Sequence, residues 1–189
     1  MKRVLVLALG IAIAGCTNVK QVADETNVRE IIDGQVAGLV ECWNGGEHEC
    51  VAGAFAEDGW QMMPNAPAQA GADAIQRHWQ QAFGWGVWEV SMETSLLEQS
   101  GPVAIERGKY VIRFVADAAA PPGRPSSQDR GNYITHWRLE SDGRWRIAAQ
   151  ALVSEVPARV VPAAPAPSGA PPGQDSPVQP PAAAGEIIR

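Results

Sequence analysis

The sequence predicts an α+β domain, and three observations carry that prediction. Apolar residues recur at three-and-four spacing through the first third of the chain, as on one face of a helix. From about residue 86 the period changes to two, as in strands half buried on one face. Helices gathered ahead of a run of strands indicate an α+β arrangement rather than alternating α/β units.

Asn27-Val28-Arg29-Glu30 reads as a helix start, with Asn27 as cap and Glu30 at the third helical position. Val28, Ile31, Ile32, Val36, Leu39, Val40 and Trp43 then line one helix face until Asn44-Gly45-Gly46 ends it. The diglycine is a helix stop rather than a phosphate loop, because no strand precedes it. A second short helix is expected over Val51–Phe55, and a short strand over Trp60–Met63, closed by Pro64. A third helix begins near Asp73, places Ile75, Trp79, Ala82 and Phe83 on one side, and ends at Gly84 and Gly86.

In the next strand Trp88, Val90, Met92, Thr94 and Leu96 alternate with Glu89, Ser91, Glu93 and Ser95, up to a turn at Gln99-Ser100-Gly101-Pro102. A strand over Val103–Ala116 follows, with Tyr110, Ile112 and Phe114 on one face and Val111, Arg113 and Val115 on the other. After a loop around Pro121-Pro122-Gly123-Arg124-Pro125, strands over Gly131–Leu139 and Arg144–Ser154 flank Asp142-Gly143, a strong hairpin signal. The four strands form an antiparallel meander. From Pro157 the chain is mostly Pro, Ala and Gly without apolar period, which predicts a disordered tail over 157–189.

The amino end has a different composition. Lys2 and Arg3 precede an apolar stretch from Val4 to Ala14 that spans roughly 16 Å as a helix, about half of a hydrocarbon core. This is the layout of an export signal over 1–15 rather than a membrane span. Its end, Ile13-Ala14-Gly15-Cys16, resembles the lipobox of bacterial lipoproteins. That resemblance implies a lipid on Cys16, a tether over 16–26, and attachment to the membrane through the lipid. Thr17 is not the Asp of an inner-membrane retention signal, so the expected location is the outer membrane, facing the periplasm. The net charge of −6, with no Lys/Arg cluster beyond the signal, argues against nucleic acid as a partner. Seven Trp in the chain suggest a thick core or an aromatic-lined cavity.

Several segments carry a family resemblance. Phe55-Ala56-Glu57-Asp58, Gly71-Ala72-Asp73-Ala74-Ile75, Glu106 to Tyr110, Gly131-Asn132-Tyr133 through Trp137, and Asp142 to Ala148 follow in order. Together they resemble the SnoaL-like and ketosteroid-isomerase-like domains of the nuclear transport factor 2 superfamily, and most closely the subgroup called domain of unknown function 4440. The resemblance covers residues 27–156 and implies a curved antiparallel sheet wrapped as a cone on the N-terminal helices. It also implies an interior pocket, with Leu39, Met63, Tyr110, Tyr133, Thr135 and Trp137 as candidate walls, and a homodimer through the outer sheet face. In ketosteroid isomerases the base, the donor tyrosine and the oxyanion aspartate fall on Met63, Leu39 and Thr135, none of which can do that work. The last strand has Gln150-Ala151-Leu152-Val153 where the subgroup commonly has Asp-x-Trp-Asn.

Cys42 and Cys50 bracket the turn after the first helix, and in an oxidising compartment a disulfide is the natural reading. Two small buried residues, or a metal cluster with His48, are the competing readings. His78 and His136 have no fixed Ser, Cys or Asp partner in the sequence, and Asp58 reads as a turn residue. The expectation is thus a tethered domain that binds a small apolar or aromatic ligand or a protein partner without catalysis, with no cofactor and no metal. The alternative is an isomerase, cyclase or hydratase whose acid or base comes from Glu106 or Tyr110, should either point into the cone.

Overall fold

The structure, a computed structural model, describes residues 17–162, with side chains from residue 27. The expected export signal, Cys16 and the tail beyond residue 162 lie outside the described residues. Among the described residues, no helix is long and apolar enough to cross a membrane.

Helix α1 (Thr17–Gly45) begins ahead of the start expected at Asn27, so the segment read as a tether is helical through Thr17. Its buried stripe is Val28, Ile32, Val36, Leu39 and Trp43, whereas Ile31 is exposed on the flank. Burial of such side chains contributes about 1.5–3 kcal/mol each, which fixes this face against the sheet. The helix ends at Gly46, whose φ of 70° is open to a residue without Cβ, and the Glu47 N–H closes the last turn on the Cys42 carbonyl at 2.9 Å. Asn44 also acts at this end. Its amide donates to the Val90 carbonyl at 3.1 Å and accepts from the Val90 N–H at 2.6 Å.

Helix α2 (His48–Gly53) is shorter and earlier than the expected Val51–Phe55, and Phe55 instead opens strand β1 (Phe55–Met62). Cys42 and Cys50 are joined in a disulfide that ties α1 to α2, with Cα atoms 5.6 Å apart. The two-residue strand β2 (Gln69–Ala70) precedes helix α3 (Ala72–Phe83), which buries Ile75, Trp79 and Ala82. The long strands follow as β3 (Gly86–Ser100), β4 (Val103–Ala116), β5 (Ser127–Leu139) and β6 (Trp145–Ser154). A further strand, β7 (Arg159–Val160), pairs with Ser127 and Gln128 of β5. The expected disordered tail is therefore corrected at its beginning, where Arg159 and Val160 add to the sheet.

One sheet runs in the order β2-β1-β6-β5-β4-β3, with β7 on β5. The meander β3 to β6 is antiparallel as expected, but β1 lies parallel to β6, so the sheet is mixed. Register shifts between Phe55 and Trp60, between Thr94 and Leu96, and between His136 and Trp137 bend it. Two glycines of the β4–β5 ladder are closely crowded. Gly108 faces Tyr133 across the β4–β5 ladder, and Gly131 faces Tyr110. A Cβ on Gly108 would come within 2.5 Å of the Tyr133 ring, and one on Gly131 within 1.9 Å of the Val153 carbonyl oxygen. The glycines let neighbouring backbone and ring close over positions where any side chain would hold the sheet apart.

Candidate functional site

The concave face carries two hydrogen-bond networks. Strand parity turns Ala104, Glu106, Tyr110, Ile112 and Phe114 of β4 and Tyr133, Thr135 and Trp137 of β5 inward, and all are buried. The Glu106 carboxylate is fully buried and accepts from three side chains. Tyr133 donates its hydroxyl to Oε1, Thr94 donates to the same oxygen at 2.7 Å, and the Trp137 indole N–H donates to Oε2 at 2.8 Å. Burial, together with the Glu106 charge, holds the Tyr133 phenol well above the ordinary tyrosine range. In the second network the Trp79 indole donates to Gln61 Oε1 at 2.7 Å, and the Gln61 amide donates to Gln150 Oε1 at 3.3 Å. Gln150 in turn donates to Thr135 Oγ1 at 3.5 Å. These side chains fill the interior of the cone.

Several open volumes border the domain, and the one with aromatic walls, a cavity of about 420 Å³, lies beside this interior. Its apolar walls come from Met63 after β1, Trp79 of α3, Trp88 of β3, Ile112 and Phe114 of β4, and Val160 of β7. Trp88 bridges the aromatic wall, with ring centroids 5.3 Å from Trp79 and 4.8 Å from Phe114. The Trp88 N–H is satisfied by the Ala82 carbonyl at 3.0 Å, which fixes the ring.

Three ionisable side chains line the same cavity: His78, Arg124 and Asp129. Arg124 comes from the proline loop, where its N–H closes a turn on the Pro121 carbonyl at 3.1 Å and Gly123 takes a φ of 85°. Its guanidinium lies 4.8 Å from the Trp85 ring centroid, 5.6 Å from Trp88 and 5.8 Å from Phe114, within cation–π range. Burial lowers the pKa of Arg124, and burial followed by the Arg124 charge lowers that of His78, which favours a neutral imidazole. Asp129 Oδ2 accepts the Tyr110 hydroxyl at 3.0 Å and the Ser154 hydroxyl at 2.8 Å. Burial is the main reason that the Tyr110 phenol is pushed up to about 12.

The residues expected as pocket walls are not brought together. Of these only Met63 lines the mouth cavity. Tyr110 meets it indirectly, through Asp129. Leu39 is buried under α1 and borders a separate groove with Cys42, Cys50 and Trp145. Tyr133 borders a groove with Leu96, Ile134 and Val153, while Thr135 and Trp137 are sealed within the networks. The three positions that ketosteroid isomerases use, Leu39, Met63 and Thr135, thus do not share this cavity. His136 is half-buried beside its inward-facing neighbours, and its Nε2 has no hydrogen-bond partner. Asp58 lies in β1, not in a turn, and forms an exposed ion pair with Arg138 at 2.6 Å that lowers its pKa. The sulfurs of Cys42 and Cys50 are bonded to each other, which removes them as thiolate ligands for a cluster with His48.

Sequence reasoning left out Arg124 and Asp129. Arg124 sits in a loop with no period. Asp129 precedes the expected start of its strand at Gly131, whereas β5 begins at Ser127.

No curated protein matches the chain. Among solved structures, a ketosteroid isomerase-like protein from Erwinia carotovora atroseptica is similar at 18% identity and a TM-score of 0.59, over 68% of this chain and 96% of that one. An NTF2-like protein with a cystatin-like fold from Novosphingobium aromaticivorans is similar at 18% identity and a TM-score of 0.59, over 77% and 95%. An NTF2-like superfamily protein from Salmonella enterica serovar Typhimurium is similar at 12% identity and a TM-score of 0.60, over 77% and 99%. Likeness at these identities speaks for the fold and nothing finer. Residues 36–148, more than half of the chain, match the family model of the SnoaL-like domain, and with the cone-like sheet around them they establish that this chain belongs to the SnoaL-like domain family.

Proposed function

We propose that the domain is a small-molecule binding module that takes an apolar or aromatic ligand in the mouth cavity, without ketosteroid-type proton transfer. The observation that carries this reading is the separation between a filled interior and an aromatic-walled cavity of about 420 Å³. That volume falls in the usual range for ligand pockets, roughly 300–1,000 Å³, and the walls combine broad apolar area with a few polar groups, as such pockets do. Glu106, the one carboxylate buried deep in the cone, already accepts three hydrogen bonds and does not line the cavity. It therefore serves the fold. The lipobox-like Ile13-Ala14-Gly15-Cys16 supports placing the module on the periplasmic side of an outer membrane, and the outer sheet face is the candidate surface for a second copy.

Titration of the full chain with an aromatic probe such as cinnamyl alcohol should quench Trp fluorescence saturably, and Trp88→Ala should abolish that response. Titration without saturable quenching or heat would refute the binding reading. Anchoring is tested separately: Cys16→Ser should shift the protein from membrane to soluble fractions, and an unchanged distribution would count against a lipid.

A second reading, an isomerase, cyclase or hydratase, has one observation in its favour. His78 and Asp129 line the same cavity, so an imidazole and a carboxylate face one ligand space. Turnover of a bound probe that disappears in His78→Gln would favour it.

A further inference from the structure

The polar groups on the cavity wall are unequal in what they have left to offer. Asp129 Oδ2 is occupied by the hydroxyls of Tyr110 and Ser154, and Oδ1, which has no partner among the described residues, is buried away from water and so out of reach of a ligand. As an acceptor, Asp129 therefore presents little to an incoming molecule. Arg124 is the opposite case. Among the described residues it makes no ion pair and no side-chain hydrogen bond, yet its guanidinium is held over Trp85 and near Trp88 and Phe114. It keeps all five N–H donors in a fixed planar fork. His78, beside it in the wall, adds a ring N–H. The cavity thus offers donors and a positive charge that the described residues leave unanswered, next to aromatic faces that suit a flat ring.

Resting on the binding reading above, we infer that the cavity selects aromatic carboxylates, with the ring among Trp79, Trp88 and Phe114 and the carboxylate on the Arg124 fork. A carboxylate matches the guanidinium geometry with two parallel hydrogen bonds, and its negative charge answers a cation that has no counter-ion among the described residues. A neutral ring compound fills the same walls but leaves Arg124 unpaired. An amine meets like charge at Arg124 and finds Asp129 with one oxygen engaged and the other buried. The stack on Trp85 orients the guanidinium before any ligand arrives, so little side-chain entropy is lost on binding.

The test compares three probes of nearly equal shape, namely cinnamate, cinnamyl alcohol and cinnamylamine, by calorimetry on the full chain. Arg124 is exposed and water screens the pair, so cinnamate should bind about 5-fold tighter than the alcohol, and the amine weakest. In Arg124→Met, which keeps the length and apolar stem, the acid and the alcohol should bind within about 2-fold of each other. Arg124→Lys, which keeps charge but loses the fork, should fall between. Equal affinity for acid and alcohol in the parent, or an acid preference that survives Arg124→Met, would overturn this inference while leaving the binding reading intact. Absence of binding by all three probes would overturn both.

Discussion

Replacing Glu106 with Gln is the sharpest probe of how this interior is held. The amide keeps the shape of the carboxylate but has one acceptor oxygen instead of two. With that oxygen toward Tyr133 and Thr94, the amide NH₂ faces the Trp137 indole N–H, which is a donor only and now has no acceptor. Leaving that buried donor unsatisfied costs about 1–3 kcal/mol. An opposing effect exists, because removing a buried charge relieves its desolvation. Three donors already compensate that charge, so the lost acceptor should decide the sign. At roughly 4 °C per kcal/mol for a domain of about 130 residues, the midpoint should fall by about 4–12 °C. Glu106→Leu, which strands all three donors, should fall further. Thermal melts of the full chain at neutral pH, followed by near-UV circular dichroism, read this directly. A Gln variant as stable as the parent would refute the reasoning.

Two further outcomes follow from the same geometry. The chain has only two tyrosines, and both hydroxyls donate to carboxylates, Tyr110 to Asp129 and Tyr133 to Glu106, with Tyr110 pushed up to about 12 and Tyr133 held higher still. A phenol whose folded pKa is raised contributes stability that is present below pH 10 and lost as pH rises through the folded value. Absorbance at 295 nm should therefore show no phenolate step near pH 10, and phenolate should appear only with alkaline unfolding; a reversible step near 10 in folded protein would contradict it. The Cys42–Cys50 disulfide closes a loop with a sequence separation of 8, worth about 2.5 kcal/mol in the chain-entropy model. Reduction should lower the midpoint by about 10 °C, and thiol labelling of unreduced folded protein should detect neither cysteine.

Much of this architecture is legible in the chain because strand parity is unforgiving. Extending the face of Tyr110, Ile112 and Phe114 back by twos reaches Gly108 and Glu106, so the direction of Glu106 was implicit before any coordinates. Its role was not, since parity cannot show that Thr94, Tyr133 and Trp137 converge on one carboxylate. The two-residue strands β2 and β7 escaped notice for a simpler reason: a pair of residues has no period to detect. Helix α1 extends ahead of Asn27 because a favourable cap sequence does not compel a start when the preceding residues can continue the helix. The site was hardest to read. It draws on a helix, a proline loop and four strands, and no spacing in the sequence records that Arg124 lies over the ring of Trp85.

The parallel pairing of β1 with β6 sets an order of events. Strands β3 to β6 are neighbours in sequence and zip as successive hairpins, each closing a short loop. The β1–β6 ladder instead joins residues such as Gln61 and Gln150, 89 positions apart, and closing a loop of that length costs about 4 kcal/mol in chain entropy. That cost must be met before the contact returns anything, which predicts that β1 docks after the meander, an order that pulsed hydrogen exchange during refolding would check. A growing chain makes the first strand early, pairs it on one edge with the two residues of β2, and then carries its other edge without β6 until residue 154 exists. During that interval its exposed Trp60 and buried-to-be Phe55 are open to solvent and to neighbouring chains. On this prediction the β1–β6 ladder is the seam of the domain, the line where a second chain's β6 would compete with its own during folding.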